Sequence, residues 1–350
     1  MQVQFIAPCK DLSGGIKVIA EFAQRLMDRG HQVRVIYPGR PLSLKRRIKD
    51  SARRLILGER DHLDRFKGEL LRVDRVDALS VPEADVTIAS SFETAEWIRD
   101  LGPRHGRRFY FIQGYEVWNA DAERVEKTYR LPYEKITVSR WLQKLLLKKS
   151  GDGLVHLIPN ASDLSGMVKI SPDSDKKYDL GMVYSAIPNK GSSHGLNVIK
   201  ALSEKYPQLR CVLFGTDRPD VLPANCTFYH RPSRRKIASI YSSTRIWMST
   251  SYREGFCLPC LEAMSCGSVA VSTDNLGVRD MVTDNVNGYI VPVADEDMLL
   301  ARTEKLLNDP ALRMQMAELA LQKSRSFSWE VSADRFESLI SRPVTERKAS

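Results

Sequence analysis

The feature that most restricts this chain is a pattern that starts twice. Residues 3–7 (VQFIA) read as a strand, Ser13-Gly14-Gly15 as a turn, and the apolar residues at 16, 19, 20, 23, 26 and 27 as one buried stripe of a helix. Gly30 stops that helix before a second apolar run at 33–37 (VRVIY), which makes a strand, helix, strand unit of the parallel type. Further strands are expected at 86–89, 109–112, 135–138 and 155–158, with helical stretches between most of them. Residues 162–177 lose periodicity and gain Ser, Asp, Lys and Pro, the composition of an exposed connection. The pattern then resumes, with strands at 180–183, 210–214, 227–229 and 246–249 and helices at 193–205 and 233–243. A further strand and helix alternation runs through 258–272, and helices fill 295–340.

The expected class is therefore α/β, with two Rossmann-like doubly wound domains facing across a cleft. The expected divisions are an N-terminal Rossmann-like domain at 1–165, a linker at 166–177 and a C-terminal Rossmann-like domain at 178–326. A terminal helix at 327–342 is expected to return to the first domain, ahead of a flexible tail at 343–350. A chain of 350 residues, 43% hydrophobic and 27% charged, is long enough for two such cores. Ligands of open parallel sheets bind beyond the carboxyl ends of the strands, so each domain would supply one wall of a site.

No run of eighteen apolar residues occurs and the N-terminus MQVQFIAPCK lacks a leader pattern, so a cytoplasmic protein is expected. Six cysteines are too few for a disulfide scaffold, and Cys9, Cys211 and Cys226 lie in or beside runs that read as buried strands. Cys257 and Cys260 form a CxxC with Cys266 beyond it, but no second ligand pair or nearby histidine accompanies them. No metal site is expected. Asp295-Glu296-Asp297 reads as helix cap and dipole charge, and Asp173-Ser174-Asp175 falls in the linker.

The stretch REGFCLPCLEAMSCG at 253–267 follows a strand and contains Pro259, suited to a first helical position. Backbone N–H groups of residues 255–258, with the positive end of a helix dipole behind them, would favour a phosphate or another anionic oxygen group. Two glutamates stand eight positions apart, at 254 and 262. Carboxylates beside an anion site make sense when the anion belongs to a sugar nucleotide, whose hydroxyls seek acceptors. An isolated spacing of this kind is equally read as a dipole partner and a solvated helix residue.

The surrounding residues resemble the retaining family 4 glycosyltransferases of the GT-B fold. The match runs through Glu254-Gly255-Phe256-Cys257-Leu258-Pro259 to Glu262 and on to Gly267. Further landmarks stand in order: Ser13-Gly14-Gly15, Val138-Ser139, Ile158-Pro159-Asn160, Asn189-Lys190-Gly191, Leu213-Phe214-Gly215, Asn287-Gly288 and Phe327-Ser328-Trp329.

The resemblance implies a metal-independent transfer of a sugar from a nucleotide diphosphate sugar, as co-substrate, to a glycan or lipid-linked acceptor hydroxyl. It places Lys190 on the donor diphosphate, Gly14 and Gly15 close to the diphosphate or sugar, and Glu254 on the transferred sugar. Gly255, Phe256, Cys257 and Leu258 would act through backbone, and Glu262 on the ribose. Read without the resemblance, Lys190 is a solvated loop lysine and Gly14-Gly15 a plain turn.

Two positions depart from the family pattern. Ser185 stands where members often carry an arginine, and Gln113 where many carry a histidine. Gln113 can position a sugar but cannot carry protons. A non-catalytic sugar-nucleotide binder, and a phosphorylase or epimerase of the same fold, are the alternatives.

The formal charge of +10 is unevenly placed, with ten Lys or Arg against four Asp or Glu in residues 40–67. Over 44–56, Leu44, Ile48, Ala52 and Leu55 fall on one side of a helical wheel and Arg46, Arg47, Arg53 and Arg54 largely opposite. This reads either as an interfacial helix on an anionic membrane or as a surface helix packed on the first domain. Trp141, Leu142, Leu145, Leu146, Lys148 and Lys149 repeat the chemistry in brief. Nucleic-acid motifs are absent, so no nucleic-acid partner is expected.

Overall fold

In a computed structural model of the chain, residues 1–39, 61–117, 120–151 and 153–342 are described. The basic stretch 44–56 lies outside them, as do Trp118 and the tail 343–350. The chain divides into two compact units. The first comprises 1–138, 143–158 and 329–350; the second comprises 139–142 and 159–328.

The first unit holds one seven-stranded sheet, formed by β1 (Gln2–Ile6), β2 (Gln32–Pro38), β3 (Glu69–Val73), β4 (Val86–Ala89), β5 (Arg107–Ile112), β6 (Glu134–Thr137) and β7 (Val155–Leu157). The order is β3-β2-β1-β4-β5-β6-β7, and every neighbouring pair is parallel. All four residues of β4, VTIA, are buried. That follows from covering both faces of a parallel sheet with helices, which turns strands into continuous apolar runs.

Helix α1 (Gly14–Asp28) buries Ile16, Ile19, Phe22, Ala23 and Leu26, and Ser13 caps it by accepting from the Ile16 amide. Helices α2 (Phe92–Trp97) and α3 (Ala122–Tyr129) follow, then α4 (Arg140–Ser150), whose opening residues 140–142 count with the second unit.

The second unit holds a six-stranded parallel sheet. Its strands are β8 (Tyr178–Val183), β9 (Cys211–Gly215), β10 (Cys226–His230), β11 (Thr244–Ser249), β12 (Val269–Thr273) and β13 (Gly288–Val291), in the order β10-β9-β8-β11-β12-β13. Around it lie α5 (Ser192–Lys205), α6 (Arg234–Ser242), α7 (Leu258–Ser265), α8 (Glu296–Asn308) and α9 (Pro310–Ser324). The last helix, α10 (Trp329–Ile340), belongs to the first unit. Phe336 stacks on Phe22 at 4.7 Å between ring centres, and Trp329 meets Phe22 edge-on at 5.4 Å.

Several expectations change. The division falls between Ile158 and Pro159, ahead of the polar stretch 166–177. That stretch is held to the second unit: Asp173 pairs with Arg313 at 2.8 Å, and the Lys176 ammonium donates to the carbonyls of Thr244 and Gly267. Cys9 is exposed and Cys226 half-buried; only Cys211 of the three is in the core. The apolar side of α4 is core, not interface, since Leu142 and Leu146 are fully buried and Lys149 pairs with Glu126. Among the described residues no helix is long and apolar enough to cross a membrane.

Candidate active site

In the second unit the chain moves outward from β8 through β9 and β10, then restarts on the other side of β8 with β11. The strand order therefore reverses between β8 and β11, and the crevice beyond their carboxyl ends is where such sheets bind ligands. The loop after β8 carries Ser185 to Gly191. The loop after β11 carries Thr250 to Cys257.

Five hydrogen bonds hold the two loops in register and shape them. The Tyr252 amide donates to the Asn189 carbonyl at 2.8 Å, and Asn189 Nδ2 donates to the Arg253 carbonyl at 2.8 Å. Thr250 Oγ1 donates to the Lys190 carbonyl, the Lys190 ammonium to Glu254 Oε1 at 2.7 Å, and Ser251 Oγ to the same oxygen at 2.7 Å. Close approach of the loops depends on Gly191, at φ +58°, where a Cβ would stand 2.3 Å from the Thr250 carbonyl oxygen. Burial works against the Lys190 charge, but the Glu254 carboxylate outweighs it and holds the ammonium above its ordinary pKa. Lys190 is thus a cation held by Glu254, with part of its side chain still open to solvent.

Helix α7 begins at Leu258, one residue before Pro259, with Cys257 as its N-cap in the left-handed region at φ +65°. Its thiol is pulled below the ordinary value by a hydrogen bond from Cys260. Among the described residues no hydrogen bond engages the backbone N–H of Gly255, Phe256 or Cys257. Successive amides in such a turn form a concavity suited to anionic oxygen. The Phe256 ring is buried against Phe327, so only its backbone faces this concavity's chemistry.

Glu262 is buried, 6% exposed, and accepts a hydrogen bond from the Tyr241 hydroxyl at 3.1 Å. The reading of it as a solvated helix residue is thereby excluded. Ser185 donates to Asp217 Oδ2 at 3.3 Å, and the Ala186 amide donates to the same oxygen. An acidic group, Asp217, therefore stands beside Ser185.

In the first unit, Gly14 and Gly15 open α1, and Gln113 Nε2 donates to the Gly15 carbonyl at 3.2 Å. These three residues meet beyond the carboxyl ends of β1 and β5. A groove of about 460 Å³ elsewhere in that unit, lined by His156, Asp334, Arg335 and Arg342 among others, includes none of them.

Residues 167–323 match the model for glycosyl transferases group 1. That match falls within the second unit and takes in less than half of the chain. Among curated proteins, a D-inositol 3-phosphate glycosyltransferase of Corynebacterium jeikeium is 27% identical over 162 residues, 46% of this chain and 35% of that protein. The matched stretch thus spans about a third of that relative's length. Among solved structures, Anabaena Alr3699/HepE in complex with UDP-glucose superposes with a TM-score of 0.76 at 15% identity, covering 97% of this chain and 99% of that one. Sucrose-phosphate synthase from Thermosynechococcus elongatus gives 0.73 at 14% identity, covering 97% and 98%. These likenesses show the fold, two parallel-sheet Rossmann-like domains of the GT-B class.

Sequence reasoning passed over Ser251, Asp217 and Tyr241, and named Asn189 only as a landmark beside Lys190. Each acts through a partner at least three positions away in sequence, most of them far beyond, and no periodicity marks such residues.

Proposed function

We propose that this protein moves a sugar from a nucleotide diphosphate sugar to an acceptor hydroxyl, retaining the anomeric configuration and requiring no metal. The observation that carries the reading is the Lys190 and Glu254 pair beside the unengaged amides of residues 255–257. Lys190 offsets negative charge growing on the departing diphosphate, and the amides and the α7 dipole hold its oxygens. Glu254 fixes Lys190 in place and accepts from hydroxyls of the transferred sugar.

In the reaction, a bond forms between the acceptor oxygen and the anomeric carbon as the bond to the phosphate oxygen breaks. The acceptor proton passes to the departing phosphate on the same face, so no enzymic base is required. Gln113 positions and does not take the proton. Glu262 serves the ribose hydroxyls with the carboxylate that Tyr241 orients. Support for a nucleotide sugar comes also from the HepE complex with UDP-glucose. The acceptor is proposed as a glycan or lipid-linked hydroxyl of a bacterial surface polysaccharide, reached from the cytoplasmic face of the membrane.

Thermal shift against a panel of nucleotide sugars tests the donor, because ligand at 100 times its dissociation constant stabilises by about 2.7 kcal/mol. The expected sequel is acceptor-dependent release of nucleotide diphosphate that survives a chelator, with NMR showing an unchanged anomeric configuration. Release abolished by chelation overturns the metal-free reading. An inverted product overturns retention, and sugar phosphate as product overturns the transferase.

A further inference from the structure

Trp141 stands in the opening turn of α4, in the part of the chain that counts with the second unit. Its indole Nε1–H donates to two consecutive carbonyls at once, those of Glu254 and Gly255, each at 3.0 Å. A peptide group is planar and trans, so its C=O and N–H point in opposite directions. Turning the Glu254 carbonyl toward the indole aims the Gly255 amide away from it. Turning the Gly255 carbonyl the same way does the same for the Phe256 amide. One side chain thereby sets two neighbouring N–H groups side by side, and these are among the amides that no hydrogen bond within the described residues engages.

We infer that Trp141 is a positioning residue for donor binding, which presents the Gly255 and Phe256 amides as a pair to the anionic oxygens of a nucleoside diphosphate. The inference rests on the transferase reading for the identity of the ligand, and on the peptide geometry for everything else. Two other contacts show that the loop is braced from several sides. Asn275, fully buried, receives the Glu254 amide on its carbonyl at 2.9 Å and directs its side-chain amide at Cys257 Sγ. Arg140, beside Trp141, donates its backbone N–H to Asp280 at 2.9 Å, which fixes the start of the helix that carries the indole. Asn275 holds the Glu254 amide, on the other side of that residue from its carbonyl. Among the described residues, the indole is the side chain that donates to both carbonyls whose direction decides where the amides point.

The test replaces Trp141 with 3-benzothienylalanine, which keeps the bicyclic shape and puts sulfur where the N–H was, in the full-length chain. Trp141→Phe serves as a second variant. Calorimetry with UDP, GDP and ADP measures affinity, and amide resonances of Gly255 and Phe256 are followed without ligand. The expected result is a melting temperature close to that of the wild type, a roughly tenfold weaker affinity for whichever diphosphate the wild type binds, and displaced resonances at both amides. Equal affinity with both resonances in place overturns the inference and leaves the transferase reading standing. A wild type that binds none of the three nucleotides removes the transferase reading instead, and undisplaced amide resonances in the isostere then overturn the role of Trp141 by themselves.

Discussion

Replacing Lys190 with Met keeps most of the side-chain length and removes the charge. At the observed 2.7 Å the gross attraction between Lys190 and Glu254 is about 6 kcal/mol for an effective dielectric constant of about 20. Most of this is returned as desolvation, and Lys190 keeps 38% of its side-chain surface exposed while Glu254 keeps 16%. The net contribution to folding is therefore about 1 kcal/mol, between a surface pair and a buried one. The cost in the reaction is larger, since a diphosphate gains charge as it departs and a fixed cation there contributes about 3 kcal/mol, a factor of roughly a hundred in kcat. The variant is thus expected to unfold within a few degrees of the wild type and turn over roughly a hundredfold more slowly. Release of nucleotide diphosphate under saturating donor measures kcat, and calorimetric scanning measures the fold. Lys190→Arg, which keeps charge but not the point geometry, should recover part of the loss. A kcat within threefold of the wild type refutes the reasoning, as does a loss of turnover matched by a loss of folded protein.

Gly191→Ala should lower stability by about 2 kcal/mol, because a side chain at φ +58° is strained and its Cβ meets the Thr250 carbonyl oxygen; Gly14→Ala, with nothing within 4 Å of the new carbon, should not. Denaturant unfolding of the two variants checks the contrast. Burial lifts the Glu116 carboxyl from its ordinary 4.5 to about 7, although its carboxylate accepts from the Phe92 amide. A raised pKa contributes stability that is complete below pH 4.5 and lost as pH rises through 7, so Glu116→Gln should gain up to about 3 kcal/mol over the wild type between pH 5 and 8. Parallel melting curves across that range would remove the group from the pH dependence. Replacing Arg46, Arg47, Arg53 and Arg54 with Gln should weaken sedimentation with anionic liposomes and leave neutral ones unaffected, at roughly 1 kcal/mol per basic residue. Equal binding to both vesicle types by the wild type would remove the membrane reading of that stretch.

The local part of this protein is written locally. Apolar runs such as VQFIA and VRVIY, the stripe of α1 and the turn glycines each need only a few neighbouring residues to declare themselves, and β1, α1 and β2 appear where the periodicity places them. Motif residues could be named for the same reason, since Lys190 and Glu254 sit on loops that follow recognisable strands. Two of the four edge strands were not foreseen, whereas β7 and β10 stand where apolar runs placed them. β3 (ELLRV) carries charge at both ends of a short apolar core, and β13 (GYIV) is only four residues long, too short for a run to stand out from its surroundings. The polar stretch 166–177 looked like an exposed linker because composition cannot show that Asp173 finds Arg313, or that Lys176 finds two carbonyls, in the folded unit. Trp141 and its leucines looked like a membrane face because a helical wheel shows which side is apolar and not what covers it. That covering, the 2.7 Å meeting of Lys190 with Glu254 across 64 positions of chain, and the direction of the amides of residues 255 and 256 are set by contacts between distant segments. Such contacts exist only after the sheet has brought β8 and β11 side by side, and so they were for the tertiary structure to decide.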